Sequence, residues 1–208
     1  MLKWVMDLDH LVYATPDLDA TVAELERSLG VRAAVGGRHP GFGTRNQLLG
    51  LGGKSYLEIV GPDPEQGRPE QPRPFGIDTL TEPVLVTWAV AVGDLDAVIA
   101  RARERGYDPG DAQDMSRCTP SGELLSWRLT LPHESGIVPF LIDWGATRHP
   151  AESGLPAVEL VSLGGGHPEP ESVRGDLAAI DVRLDLDKQL RPCLTAVLSG
   201  RYGPVTLT

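Results

Sequence analysis

One segment of this chain is written twice. Residues 8–30, LDHLVYATPDLDATVAELERSLG, read as a strand, a turn and an amphipathic helix, and residues 85–106, LVTWAVAVGDLDAVIARARERG, repeat that order 77 positions later. In the first copy Leu8, His10, Val12 and Ala14 alternate with Asp9, Leu11 and Tyr13, the period of a strand. Thr15 is placed to cap the helix, Pro16 suits its first position, and Asp17 favours the positive end. Leu18, Val22, Leu25 and Leu29 form an apolar stripe that Gly30 closes. The second copy turns at Gly93-Asp94, buries Leu95, Val98, Ile99 and Ala102, and ends at Gly106. Both share the string Asp-Leu-Asp-Ala, at 17–20 and 94–97.

Further strands follow each helix. They are predicted at 32–36, 46–51 and 55–60 in the first unit, and near 111–116, 124–131 and 139–144 in the second, separated by Gly, Pro and Asn turn chemistry. A weaker third copy has strands at 158–163, 182–186, 194–198 and 205–207. Its helix carries Val173, Leu177 and Ile180, with His167 as a cap. The class predicted is α+β: two βαβββ units at 5–61 and 84–146 making one domain over 1–150, joined by a proline-rich linker at 62–83, with a smaller βαβββ-like unit at 151–208.

Composition narrows the function classes. The 208 residues are 41% hydrophobic and 23% charged, enough to bury a core. A net charge of −10 argues against a nucleic-acid partner, which needs a basic footprint, and against an anionic membrane surface. No apolar run reaches the length of a bilayer span. Residues 1–4 enter a strand-like pattern without a signal-peptide core, which predicts a cytoplasmic protein. Cys118 and Cys193 lie too far apart for a metal or redox motif and are expected as free thiols. Neither cysteine has a histidine nearby in sequence, and no GxSxG elbow is present, so nucleophilic catalysis finds little support. The glycine clusters at 50–53 and 164–166 are weak evidence for a dinucleotide, and no nucleotide cofactor is expected.

Four motifs give the chain a family likeness: DHLVYATPDLD at 9–19, GGRHPGFGTRNQLLGLG at 36–52, YLEIVGPD at 56–63 and PFLIDWG at 139–145. Together they resemble the glyoxalase/bleomycin-resistance/dioxygenase superfamily, the vicinal oxygen chelate fold, in its glyoxalase-like branch. The resemblance implies that the two units curl into a cup and that the protein takes a small-molecule ligand. It implies a homodimer as well, unless the third unit covers the free sheet edge. In metal-bearing relatives each unit gives one ligand from its first strand and a carboxylate from its last. On this sequence that pattern implies His10, Glu58 and Asp143 as ligands for Zn²⁺, Mn²⁺, Fe²⁺ or Ni²⁺, with Thr87 where the fourth would stand.

The residues themselves leave alternatives open. His10 is either a satisfied core histidine or a ligand. Glu58, set between Tyr56 and Val60, marks either an exposed sheet face or a site, since a carboxylate in an apolar strand needs a cation, a donor or solvent. Glu58 and His39 are the candidate bases. His39, Arg45 and Asn46, on a glycine-rich turn, together with Arg117 and Trp127 of the second unit, are the candidate substrate contacts. Alternation sends Trp127 and Arg128 to opposite faces, so both cannot line one cup. His133 and His149 read as solvated. Two functions fit: a metal-dependent lyase, isomerase or dioxygenase acting on vicinal oxygens, or a metal-free protein that binds or sequesters a small molecule. Pairing of Glu58 with Arg45 or Arg128 would count against the metal.

Overall fold

The computed structural model describes residues 8–119, 122, 124–133 and 135–208. The strand-like start at 1–4 and the side chain of Cys118 lie outside what is described. The first unit consists of β1 (Leu8–Ala14), α1 (Leu18–Leu29), β2 (Ala34–His39), β3 (Thr44–Gly50) and β4 (Tyr56–Pro62). The second consists of β5 (Val84–Ala91), α2 (Leu95–Glu104), β6 (Gln113–Cys118), β7 (Leu124–Leu129) and β8 (Phe140–Asp143). Their strands form one eight-stranded sheet in the order β2-β3-β4-β1-β5-β8-β7-β6. Within each unit the first strand runs parallel to the last, and β1 and β5 join the units antiparallel. The two edge strands, β2 and β6, approach each other across the mouth and nearly close the sheet into a cup.

The repeated Asp-Leu-Asp-Ala string is a capping device. Asp17 and Asp94 are the N-cap residues, and each side chain accepts from the backbone N–H three residues on, at Ala20 and Ala97, both at 3.0 Å. The cap is therefore Asp17 rather than Thr15. Thr15 is buried, with its hydroxyl 2.6 Å from that of Thr21, inside the α1–sheet contact. Gly30 closes α1 in the left-handed region at φ 73°.

The third unit has β9 (Glu159–His167), α3 (Pro170–Ala179), β10 (Asp185–Lys188), β11 (Cys193–Gly200) and β12 (Gly203–Leu207). Its element order is that of the other units but its pairing is not. The sheet runs β10-β9-β11-β12, so β9 lies parallel to β10, the strand next after its helix, rather than to the last strand. The glycines at 164–166 are mid-strand in β9. A Cβ on Gly165 would stand 3.0 Å from the Cys193 carbonyl, and one on Gly166 would collide with Gln189, so glycine there admits close neighbours. His167 accepts from the N–H of Glu169, itself the N-cap of α3, just as Thr15 accepts from Asp17 before α1, so His167 is not the capping residue either.

The eight-stranded sheet has two apolar faces. On its convex side Leu11, Trp88 and Leu141 pack with the stripes of α1 and α2 and with Leu163, Leu177, Leu194 and Leu198 of the third unit. That unit covers the convex face and leaves the sheet edges to meet each other. On the concave side Val12, Ala14, Val60, Ala89, Phe140 and Ile142 form a second cluster. Phe75, Ile77 and Leu80 join it, so the segment expected as a plain linker is a strap across the cup. Apolar side chains within the proline-rich run hold it there. No described helix is long and apolar enough to cross a membrane.

Candidate functional site

The cup holds about 970 Å³, the size range of small-molecule sites. Its walls are mostly apolar, and on the first unit the polar groups converge on Glu58. His10 projects from β1 and Glu58 from β4, on adjacent parallel strands. His10 Nε2 lies 3.9 Å from Glu58 Oε2, and His39 Nε2 lies 3.8 Å from the other oxygen. Asn46 donates to Glu58 Oε1 at 2.5 Å, while its own oxygen accepts from the Gly37 N–H at 2.7 Å. A Cβ at Gly36 would overlap the Asn46 amide, so the glycine pair at 36–37 makes room for this arrangement.

Behind His10 stands a buried carboxylate that alternation assigns to the opposite face. Asp9 is 1% exposed, and its Oδ1 lies 2.6 Å from His10 Nδ1. The β1–β5 register shifts between Leu8 and His10, where two steps along β1 oppose one along β5. Such a bulge re-aims a side chain, and here it brings Asp9 beside its own neighbour. Asp9 Oδ2 accepts from Trp144 Nε1 at 2.9 Å and lies 3.0 Å from His149 Nε2. Burial would raise the Asp9 pKa, but the hydrogen bonds and charges of His10 and His149 outweigh it and hold the group at about 2. His149, expected to be solvated, is half-buried, with its ring edge against Tyr56 and Trp144. Tyr56 in turn stacks on His10, centroids 4.8 Å apart, and burial beside Asp9 and Glu58 pushes its phenol well above 10. Burial also lowers His39, with Glu58 opposing and Arg117 reinforcing that shift.

From the second unit come Arg117 and Trp127, both lining the cup. Trp127 packs against Trp144, and Arg128 turns outward to Asp96. Arg45 does not line the cup. It alternates with Thr44 and Asn46 and points to the outer face, where its guanidinium binds Asp19 of α1 at 2.8 Å. Asp143 also lies outside. The register decides this: Val12 pairs with Glu58, and its repeat counterpart Ala89 pairs with Phe140. Phe140 is therefore the second unit's equivalent of Glu58. Asp143, three residues on, accepts from the Gly145 N–H on the far face. Thr87, the counterpart of His10, is 1% exposed, and its hydroxyl has no hydrogen-bond partner among the described residues.

A family model described as "Glyoxalase-like domain" matches residues 8–180. The chain belongs to that family. Among solved structures, a hypothetical protein from Staphylococcus aureus superposes on 98% of this chain and 99% of its own at a TM-score of 0.67 with 11% identity, a likeness of fold. A methylmalonyl-CoA epimerase from Mycobacterium tuberculosis covers 74% of this chain and 97% of its own (TM-score 0.45, 19% identity). A Streptomyces coelicolor methylmalonyl-CoA epimerase in complex with 2-nitronate-propionyl-CoA covers 70% and 99% (TM-score 0.45, 22% identity). Comparison with curated proteins returned no match.

The donor set of this glyoxalase-like domain does not fit the metal pattern implied by the superfamily. Two of the four positions are Thr87 and Phe140, and Asp143 cannot supply the loss. On the first unit His10 and His39 face different oxygens of Glu58, and one of those oxygens is already bonded to Asn46. Among the described residues no three His, Cys, Asp or Glu side chains converge on one ion position. Glu58 pairs with neither Arg45 nor Arg128.

Proposed function

We propose that this glyoxalase-like protein binds a small organic molecule in its cup and moves a proton on it, with His10 as the base. The observation that carries this reading is the Asp9–His10 pair. An ionised carboxylate only accepts, so the nitrogen 2.6 Å from it carries the proton of the neutral imidazole. Nε2 is then left with its lone pair on the side of Glu58 and the cup. The 3.9 Å between Nε2 and Glu58 Oε2 is too wide for a direct hydrogen bond and leaves room for a substrate C–H or O–H. Trp144 and His149 fix Asp9, Asp9 fixes the ring, and Tyr56 stacks on its face, so the base is held before a ligand arrives. Glu58, anchored by Asn46, stands beside the same point and would receive or return the proton.

Exchange tests this. Carbonyl compounds, charged and uncharged, would be incubated with the protein in D₂O and loss of the α-proton signal followed by NMR. The wild type should exchange at least one of them, and His10→Gln should slow that exchange about 10²–10⁴-fold. A second reading, a binding or sequestering protein, draws support from the aromatic wall of Phe42, Phe75, Trp127, Phe140 and Trp144. Compounds that bind in the cup without exchanging any proton would overturn the first reading and leave the second.

A further inference from the structure

We propose that the ligand of this cup is a small organic acid, its carboxylate held by Arg117 and a second oxygen by the Thr87 hydroxyl. The inference deepens the reading of the cup as a ligand site, and it stands apart from the part given to His10.

Arg117 is 7% exposed and, among the described residues, is the only arginine or lysine lining the cup. It projects from β6 across the seam to β2, where a Cβ on Gly37 would come within 2.3 Å of its Nη1. The guanidinium thus rests on bare glycine backbone, at the one place where the sheet edges meet. Its charge is felt by His39 and Tyr56, on the floor of the first unit. No described carboxylate forms an ion pair with it, although the cup contains Glu58, which gives one oxygen to Asn46. A guanidinium removed from water without a counter-charge is costly, and a flat five-donor fork matches a carboxylate in two-pronged geometry.

Thr87 supplies an independent signal. Its hydroxyl is buried, lines the cup and lacks a partner among the described residues, whereas native folds satisfy nearly all such groups. It lies on β5 opposite Val12, two residues from His10 along β1. An α-hydroxyl or α-keto oxygen on the acid would satisfy it and would bring the α-carbon toward the His10 side. A phosphate dianion fits less well, because a second cation would be needed to offset Glu58. The apolar remainder of the acid would lie against Trp127, Leu129, Phe140 and Ile142.

The probes are phenylacetate, its uncharged match phenylacetamide, mandelate, which adds an α-hydroxyl, and inorganic phosphate. Quenching of Trp127 and Trp144 fluorescence reports occupancy. Wild-type protein should bind phenylacetate at least about tenfold more tightly than phenylacetamide, the scale of one charge-assisted pair. Mandelate should bind more tightly than phenylacetate, and Thr87→Val should erase that advantage while leaving phenylacetate unchanged. Arg117→Gln should remove the preference for acid over amide, and the wild-type comparison stands even if that variant folds poorly. Equal binding of acid and amide, absence of binding by every organic probe, or displacement of mandelate by equimolar phosphate would overturn the proposal. In the wild type, a preference for acid over amide without any α-proton exchange would sink the base assignment alone, and exchange without that preference would sink this assignment alone, so the two failures give different results.

Discussion

Replacing Asp9 with asparagine isolates the group on which the site is built. Three donors meet two carboxylate oxygens: His10 at Oδ1, and Trp144 and His149 at Oδ2. Asparagine keeps one acceptor and turns the other position into a donor. If its oxygen stays with Trp144, whose indole nitrogen can only donate, its amide faces His10 Nδ1 and forces the ring proton onto Nε2. The opposite placement sets two donors against each other at Trp144. With the residue 1% exposed, one mispaired buried group costs about 2 kcal/mol, or about 4–8 °C in Tm for a chain of this size. Acid titration adds a sign. The native Asp9 pKa is held at about 2 against 3.8 for the free side chain, so its contribution is present above pH 3.8 and is lost as pH falls toward 2. That depression is worth about 2 kcal/mol at 1.36 kcal/mol per pH unit. Melting curves of wild type and Asp9→Asn should therefore lie apart at pH 7 and converge between pH 4 and 2. Curves that stay parallel down to pH 2, or a variant as stable as wild type at pH 7, would refute the reasoning.

Three other substitutions probe separate parts of the account. Thr87→Val removes a buried hydroxyl without a described partner, so Tm should stay level or rise, by up to about 1–3 kcal/mol of stability; a clear fall would show that the hydroxyl has a structural partner. Gly37→Ala puts a methyl 2.3 Å from Arg117 Nη1, and because the obstacle is a side-chain end the fold should survive in far-ultraviolet circular dichroism while phenylacetate binding weakens several-fold. Trp88→Phe deletes a fully buried indole whose N–H donates to the Ile137 carbonyl at 2.8 Å, and urea unfolding should register a loss of about 2–4 kcal/mol.

The architecture of the first two units was legible because their signals are local. Alternation, apolar stripes and the twice-used Asp-Leu-Asp-Ala cap all act within a few residues, so strands and helices fall close to where the sequence predicts them. That alternation places His10 with Leu8 and Val12 and Glu58 with Tyr56 and Val60, whereas His39 and Asn46 stand out through the glycine-rich turn and Arg117 and Trp127 through their side-chain chemistry. All six line the cup. What escaped depends on distance or irregularity. Asp9 faces its neighbour His10 only because a bulge interrupts β1, and no period-two argument anticipates a bulge. Asp143 was misplaced by register: the parallel pairing of β5 with β8 sets Phe140, not an acid, opposite Ala89. His149 and Trp144 reach Asp9 across more than a hundred residues, and their composition gives no sign of it. The third unit kept the element order of its siblings but paired its first strand with the strand next after its helix, a long-range choice that local periodicity does not encode. The proline-rich strap read as a linker because composition weighs prolines more than the three apolar side chains that seat it.

Base chemistry in this cup requires that Nε2 of His10 be the bare nitrogen. Selective ¹⁵N labelling of histidine, with long-range ¹H–¹⁵N correlation and His10→Gln to assign the resonance, reads this directly in the wild-type protein. In the neutral ring Nδ1 should be protonated, with its proton strongly deshielded by the hydrogen bond to Asp9, and Nε2 should be pyridine-like and free to accept. A neutral ring protonated on Nε2 would contradict the base assignment, because His10 would then present a donor, not a base, to the cup.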